Sequence, residues 1–319
     1  MKKVFTLFMV AIFTLVLAAC GSDENKNSAS GNGAEAAGDQ ITIKHQLGET
    51  SIKKNPEKVI VFDFGILDSM DKLGVEVTGV PQENIPPYLS KFEDAKYENV
   101  GSLKEPDFEK INKIKPDLII ISGRQSEAYK ELSSIAPTIF MGVDTAKYMD
   151  SFQENMNTLG QIFGKEDQVK EELAAIEKEI TALNEKVKAT GKNALIILAN
   201  EGKISAYGPG SRFGILHDVF GFTAVDPGIE VSTHGKDISS EYIVEKNPDY
   251  LFVVDRGAAV ATGGAESGAK AVVENELVKT TNAYKDGNIV YLDPNYWYLS
   301  GGGLTSVSEM VKEVSAGIK

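Results

Sequence analysis

The sequence is poor in cysteine and in arginine. Cys20 is the only cysteine among 319 residues, which excludes an intramolecular disulfide and a metal site built from several cysteines. The 33 basic residues comprise 30 lysines and three arginines, Arg124, Arg212 and Arg256. The formal net charge is −13 and no basic stripe is visible, so nucleic acid is not expected as a partner.

Signature motifs of common secreted enzymes are also absent. The sequence has no G-x-S-x-G elbow and no H-E-x-x-H or paired-histidine spacing, and the glycines at 301–303 lack the lysine of a phosphate loop. A secreted α/β hydrolase is therefore the weaker alternative. We expect a protein that is not an enzyme and carries no cofactor of its own.

One long apolar run, from Val4 to Ala19, follows two lysines at the N-terminus. It ends in Leu-Ala-Ala-Cys, which resembles the lipobox of bacterial lipoproteins, so residues 1–19 are predicted to be a signal peptide and Cys20 to be lipidated. Residues 20–40 are rich in Gly, Ser, Asn and Ala and are typical of a flexible tether. These features predict a protein anchored on the extracytoplasmic face of a cell membrane.

Short apolar runs alternate with amphipathic stretches along the rest of the chain. The strand-like runs are 58–64, 117–122, 137–143, 193–200, 249–255 and 287–293. Such alternation is typical of α/β units with mostly parallel sheets. A helix of about 25 residues is predicted within 166–192, with Gly191 at its end, although a coiled-coil seam is the other interpretation of its apolar spacing.

The two halves of the sequence share a pattern. E-x-I-x4-P-D-x6-R runs from Glu109 to Arg124 and again from Glu241 to Arg256, and F-G-I-L occurs upstream in both halves. We therefore predict two Rossmann-like lobes, at 41–164 and 192–319, joined by one long helix at 165–191, with a ligand cleft between them.

The positions of the three arginines fit this two-lobed organisation. Arg124 and Arg256 come after the carboxyl ends of predicted strands, where ligands of open α/β sheets gather, and Arg212 lies in the loop Y-G-P-G-S-R-F-G. In a chain that uses lysine for routine charge, the planar fork of arginine favours binding of anionic oxygens, although a surface ion pair or a clamp on a backbone carbonyl is the ordinary alternative for each arginine.

Other candidates lie in the second half. The segment N-Y-W-Y-L-S-G-G-G at 295–303 contains the only tryptophan, Trp297, beside Tyr298. These rings could stack on an aromatic ligand or plug the core beneath a loop, and a tyrosine phenolate is a hard oxygen ligand suited to ferric iron. His234 lies in a polar turn beside glycine, which favours an accessible ring.

Together these segments resemble the ferric-siderophore and cobalamin substrate-binding proteins of bacterial ABC importers. The similarity spans nearly all of the sequence after the tether, and the segments around Arg124, His234, Arg256 and Trp297 are similar to petrobactin-binding lipoproteins of bacilli. The resemblance implies a monomer that captures a ferric catecholate siderophore and delivers it to a membrane permease and its ATPase.

The resemblance also implies roles for individual residues. Arg124, Arg212 and Arg256 would contact catecholate oxygens, while His234 and Tyr298 would complete the iron's shell if the siderophore supplied only four donors. Glu109 and Glu241 would dock into the permease, one from each lobe. Haem, cobalamin or a hydroxamate siderophore remains the alternative ligand for the same architecture.

Overall fold

The computed structural model describes residues 40–260 and 268–319. The predicted signal peptide, Cys20 and all but the last residue of the predicted tether lie outside the described residues. The strands are β1 Gln40–His45, β2 Gly48–Lys53, β3 Val59–Val61, β4 Gly79–Val80, β5 Glu98–Asn99, β6 Leu118–Ile121, β7 Thr138–Phe140, β8 Asn193–Asn200, β9 Lys203–Tyr207, β10 Thr223–Ala224, β11 Lys236–Ile238, β12 Tyr250–Asp255 and β13 Ile289–Leu292. The helices are α1 Phe64–Lys72, α2 Phe108–Ile114, α3 Tyr129–Ile135, α4 Tyr148–Phe163, α5 Glu166–Thr190, α6 Ile215–Asp218, α7 Ser240–Lys246, α8 Arg256–Val260, α9 Ala269–Val273, α10 Asn282–Lys285 and α11 Leu304–Gly317.

The first lobe contains a five-stranded sheet in the order β5-β4-β3-β6-β7, with every neighbouring pair parallel. Successive residues of β6 face opposite sides: Ile120 packs toward the interior between the lobes, and Ile119 packs toward an outer layer. Both faces are buried, which explains why the four residues of β6, Leu118–Ile121, are all apolar instead of alternating. A separate antiparallel hairpin, β1-β2, lies beside β7.

The second lobe contains a mixed sheet in the order β11-β9-β8-β12-β13, with β10 paired to β8. The pairs of β8 with β12 and of β12 with β13 are parallel, whereas β9 is antiparallel to both of its neighbours. Mostly parallel sheets were predicted, and the antiparallel hairpin β8-β9 is an addition that the repeat did not indicate. Parallel neighbours place the carboxyl ends of β8 and β12 at one edge of the sheet.

A single helix, α5, connects the lobes over 25 residues. It ends where predicted, because Gly191 takes a left-handed conformation with φ of 61° and its N–H bonds the carbonyl of Lys188. The predicted apolar stripe faces the protein, with Ile176, Leu183 and Val187 fully buried. No helix within 40–260 and 268–319 is both long and apolar enough to cross a membrane.

The core is continuous between the lobes. One cluster of buried side chains includes Val61 of the first sheet, Ile196 of the second sheet and Met310 of α11. Helix α11 packs against both α5 and α1, so the last helix of the second lobe completes the interior of the first. The cleft therefore lies over a shared core.

A buried carboxylate joins the lobes beneath the cleft. Asp68 of α1 is 1% exposed, and its two oxygens accept the backbone N–H groups of Thr305 and Ser306 at 3.1 and 3.0 Å. The next residue, Ser69, accepts the N–H of Leu304 at 3.0 Å. The first lobe thus supplies the cap for a helix of the second, satisfying N–H groups that a helix start leaves unpaired.

Replacing Asp68 with alanine should destabilise the protein strongly. The change leaves the buried N–H of Ser306 and the part-buried N–H of Thr305 without acceptors, and we expect it to lower the free energy of unfolding by about 2–4 kcal/mol. Urea unfolding followed by circular dichroism measures this. Asp167→Ala, an exposed carboxylate in the first turn of α5, is the control and should change stability by less than about 1 kcal/mol. Equal stability of the two variants would contradict the capping role.

Candidate functional site

The segment between β13 and α11 forms the floor of the cleft. Asn295–Leu299 forms a wide helical turn, and residues 300–303 lead into α11. Gly303 approaches α1 so closely that a Cβ there would lie 2.3 Å from an oxygen of Asp68. The glycine run therefore permits close contact between the lobes. Tyr88 fixes the same segment from the first lobe, since its hydroxyl donates to Ser300 at 2.6 Å.

All three arginines converge on Tyr298 of this segment. The Nη2 atoms of Arg124 and Arg212 each donate to the carbonyl oxygen of Tyr298 at 2.8 Å. Arg256 donates through Nε to the phenol oxygen of the same residue at 2.9 Å. One residue of the floor therefore binds arginines from both lobes, which the sequence pattern alone did not indicate.

Local structure positions each arginine. Arg124 lies in a short 3-10 turn after β6, where Ser122 donates its N–H to the Gln125 side chain at 3.1 Å. Arg256 is the first residue of α8, directly after β12. Arg212 follows Gly210, whose φ of 69° favours glycine at this bend of the loop.

The guanidinium groups also surround the ring of Tyr298. Their central carbons lie 4.1 Å from the ring centroid for Arg212, 5.8 Å for Arg256 and 6.0 Å for Arg124. Among the described residues, neither Arg124 nor Arg212 has a carboxylate within 4.0 Å, and Arg256 has Glu201 at 3.8 Å. Positive charge is thus concentrated at the floor and largely uncompensated.

The positive charge at the floor changes the pKa values of Tyr298 and Arg212. Burial raises the pKa of Tyr298, but the hydrogen bond from Arg256 and the charges of the three arginines outweigh it and bring the pKa below that of an ordinary phenol. Burial and the nearby charge of Arg124 lower the pKa of Arg212. The site therefore favours anionic oxygen at its centre.

The cleft above this floor has a volume of about 660 Å³, within the range of small-molecule sites. Both lobes line it with polar and apolar groups: Asp63, Ser122, Gly123, Arg124, Phe140, Gly142, Val143, Thr145 and Tyr148 from the first, and Arg212, Val231, Ser232, Thr233, Trp297, Tyr298, Leu299, Gly301 and Met310 from the second. The lobes also meet at its wall, where the Thr145 hydroxyl donates to the carbonyl of Gly210 at 3.0 Å.

The other two predicted ligand-binding residues, Trp297 and His234, differ in burial and in position relative to the cleft. Trp297 lines the cleft but is only 3% exposed, and its indole N–H donates to Glu313 at 2.9 Å. Phe220 packs edge-on against it at 6.2 Å. His234 is exposed on the loop that follows Thr233, at the rim of the cleft and outside its lining.

The two predicted docking residues are equivalent in position. Glu109 lies in the first turn of α2 and Glu241 in the first turn of α7, and both are exposed. A hydrogen bond from the Ser239 side chain lowers the pKa of Glu241. Each lobe therefore presents a carboxylate at the start of the helix that precedes β6 or β12, the strands that Arg124 and Arg256 follow.

Sequence reasoning missed Asp63, Asp68 and Tyr148. Asp63 precedes the first F-G-I-L, as Arg212 precedes the second, and that equivalence was available from the sequence. Asp68 gave no signal, because a carboxylate within a helix pattern is typical of an exposed face. Tyr148 gave none either, since its neighbours from the second lobe are distant in sequence.

A two-lobed α/β fold with a charged cleft between the lobes is typical of substrate-binding proteins. A profile of the periplasmic binding protein family matches residues 59–296, and the chain belongs to this family.

Its relatives include several iron-transport proteins. The petrobactin-binding protein YclQ of Bacillus subtilis is 54% identical over 323 residues, covering 100% of both chains. The crystal structure of YclQ has a TM-score of 0.85 at 57% identity, covering 88% of this chain and 99% of that chain. The catecholate-siderophore binding protein VctP of Vibrio cholerae has a TM-score of 0.81 at 37% identity, covering 87% and 99%. The fold class predicted from the sequence is confirmed.

The depressed pKa of Tyr298 gives a direct test of the cluster. In a pH titration followed by phenolate absorbance, we expect Tyr298→Phe to remove an early-titrating component. Arg256→Gln should move that component to higher pH, because it removes both a hydrogen bond and a charge that favour the phenolate. Tyr242→Phe is the control, since burial and Asp226 raise the pKa of Tyr242 and its loss should affect only late titration. An unchanged early component in Arg256→Gln would contradict the assignment.

Proposed function

We propose that this protein captures a ferric catecholate siderophore of the petrobactin type and delivers it to an ABC importer for iron uptake. The observation that carries the proposal is the convergence of Arg124, Arg212 and Arg256 on Tyr298, with little carboxylate compensation. The relatives that bind petrobactin and catecholate siderophores support the same ligand class.

The electrostatics of the cleft suit such a ligand. A ferric catecholate presents several anionic oxygens around one metal, and guanidinium groups bind anionic oxygen with fixed geometry. Hydrogen bonds to Tyr298 hold the guanidinium groups close together before ligand arrives, so less side-chain entropy is lost on binding. In an acidic protein, this local concentration of positive charge attracts an anion that the rest of the surface repels.

Tyr298 and His234 are the residues we propose to complete the coordination of iron when the siderophore supplies only four donors. The lowered pKa of Tyr298 supports this role, because iron binds the phenolate form. His234 is exposed and directly follows Thr233, a lining residue of the cleft, which supports its access to the ligand. Trp297 lies close enough to the cleft for its fluorescence to report binding.

Delivery requires contact with the importer. We propose that Glu109 and Glu241 form the two docking points, one on each lobe, for the permease that works with its ATPase. Their exposure and matching positions support this role. Lipidation of Cys20 would hold the monomeric protein at the extracytoplasmic face of the membrane, close to that permease.

Removing the arginines should weaken ligand binding. We expect Arg124→Gln, Arg212→Gln and Arg256→Gln each to lower the affinity for ferric petrobactin by roughly tenfold, because each removes a charge-assisted hydrogen bond. Quenching of intrinsic fluorescence during titration measures the affinity. Lys130→Gln changes the same unit of charge on the exposed face of α3 and should bind like the wild type.

The triple variant tests the ligand class as well. An unchanged affinity in this variant would show that the cleft assignment is wrong. Parallel titrations with haem, cobalamin and a ferric hydroxamate identify the alternatives, since tighter binding of any of these by the wild type would replace the catecholate proposal.

The docking residues should separate transport from binding. Glu109→Ala and Glu241→Ala should bind ferric petrobactin normally, because neither side chain lines the cleft. Both variants should lose most of their stimulation of the ATPase in the reconstituted importer, because each lacks one docking contact. Glu131→Ala, another exposed glutamate in the first turn of a helix, is the matched control and should keep full stimulation. Loss of ligand binding, or full ATPase stimulation, in the two docking variants would count against the role.

A further inference from the structure

The two lobes differ at one equivalent position in the cleft. The repeated F-G-I-L is preceded by Arg212 in the second lobe and by Asp63 in the first. Both residues line the cleft, and Asp63 is the only carboxylate among its lining residues in the described chain. The position that supplies a cation on one wall therefore supplies an anion on the other.

Only one carboxylate oxygen of Asp63 takes part in a hydrogen bond within the described residues. Asp63 is the N-cap of α1, and its Oδ1 accepts the N–H of Ile66 at 2.9 Å. Within the described residues, Oδ2 has no hydrogen-bond partner and no lysine or arginine nitrogen lies within 4.0 Å of the carboxylate. A cap needs one acceptor oxygen and can be made by asparagine, so capping alone does not require the second oxygen or the charge.

A second unpaired group lies at the same wall. Tyr148, the first residue of α4, lines the cleft and is 6% exposed, and its hydroxyl has no hydrogen-bond partner in the described chain. Burial and the charges of Asp68 and Asp63 hold its pKa above the ordinary value, so the group remains a neutral phenol. Buried hydroxyls are normally paired, and a ligand group in the cleft is a partner that would satisfy this hydroxyl.

We propose that Asp63 and Tyr148 form a subsite for a protonated amine carried by the ligand, separate from its iron-bound oxygens. This inference rests on the proposed function, because it assigns a second recognition element to the same ferric catecholate. A carboxylate oxygen and a phenol oxygen both accept hydrogen bonds from an ammonium group, and the carboxylate adds charge attraction. The cleft would then select ligands with an anionic end and a cationic end.

Two small ferric complexes separate this subsite from the arginine cluster. Dopamine and N-acetyldopamine bind iron through the same catechol, but only dopamine carries a protonated amine. The ammonium groups also make the dopamine complex less anionic, which weakens its attraction to the arginines. The subsite is therefore measured by titration in excess catechol, as the ratio of the two affinities in the wild type compared with the same ratio in a variant.

Asp63→Asn is the informative variant, because asparagine keeps the cap of α1 and removes the charge. We expect it to weaken binding of the dopamine complex by roughly tenfold and to leave the N-acetyldopamine complex equally or more tightly bound, since a repulsive carboxylate is gone. Tyr148→Phe should lower affinity for the dopamine complex selectively and by a smaller factor. A purely structural role for either residue would weaken both complexes alike.

Asp107→Asn is the matched control, since Asp107 caps α2 through the N–H of Lys110 and lies outside the cleft lining. An unchanged ratio of the two affinities in Asp63→Asn would overturn the subsite while leaving the catecholate site intact. Failure of the wild type to bind the N-acetyldopamine complex would instead overturn the proposed function and this inference with it.

Discussion

The geometry of the cleft depends on one buried interaction, the acceptance of two α11 backbone N–H groups by the carboxylate of Asp68. It fixes the start of α11 against α1, and the segment that precedes α11 carries Tyr298. Because Tyr298 accepts hydrogen bonds from arginines of both lobes, the position of α11 determines where positive charge is concentrated. A cap between two lobes thus sets the arrangement of the ligand site.

The floor of the cleft is positively charged, whereas the whole molecule is negatively charged. The protein is strongly acidic, yet three of its cations share one floor residue with little carboxylate nearby. Holding like charges together in a partly buried site costs free energy, which hydrogen bonds to the carbonyl and phenol of Tyr298 offset in part. A ligand that brings negative charge relieves this repulsion, so the site is more favourable when occupied.

Much of this organisation could be predicted from the sequence. Helix α5, its end at Gly191 and the strands β8 and β12 follow from local periodicity and from glycine, and the repeat placed Arg124 and Arg256 at equivalent strand ends. Local patterns could not reveal Asp68, whose acceptor role depends on a helix 237 residues away. The convergence of Arg124 and Arg212 on the backbone carbonyl of Tyr298 was equally hidden, since a main-chain atom carries no residue identity.

The core that continues from one lobe into the other limits how far the lobes can separate. Opening the cleft widely would expose side chains such as Phe152 and Ile196 to water, at about 25 cal/mol for each Å² of apolar surface. Wide separation of the lobes is therefore disfavoured. Under the proposed function, a bound anion would neutralise the arginines at the floor and change the electrostatic potential of the cleft more than its shape. A membrane partner spanning both lobes would distinguish cargo from no cargo by charge.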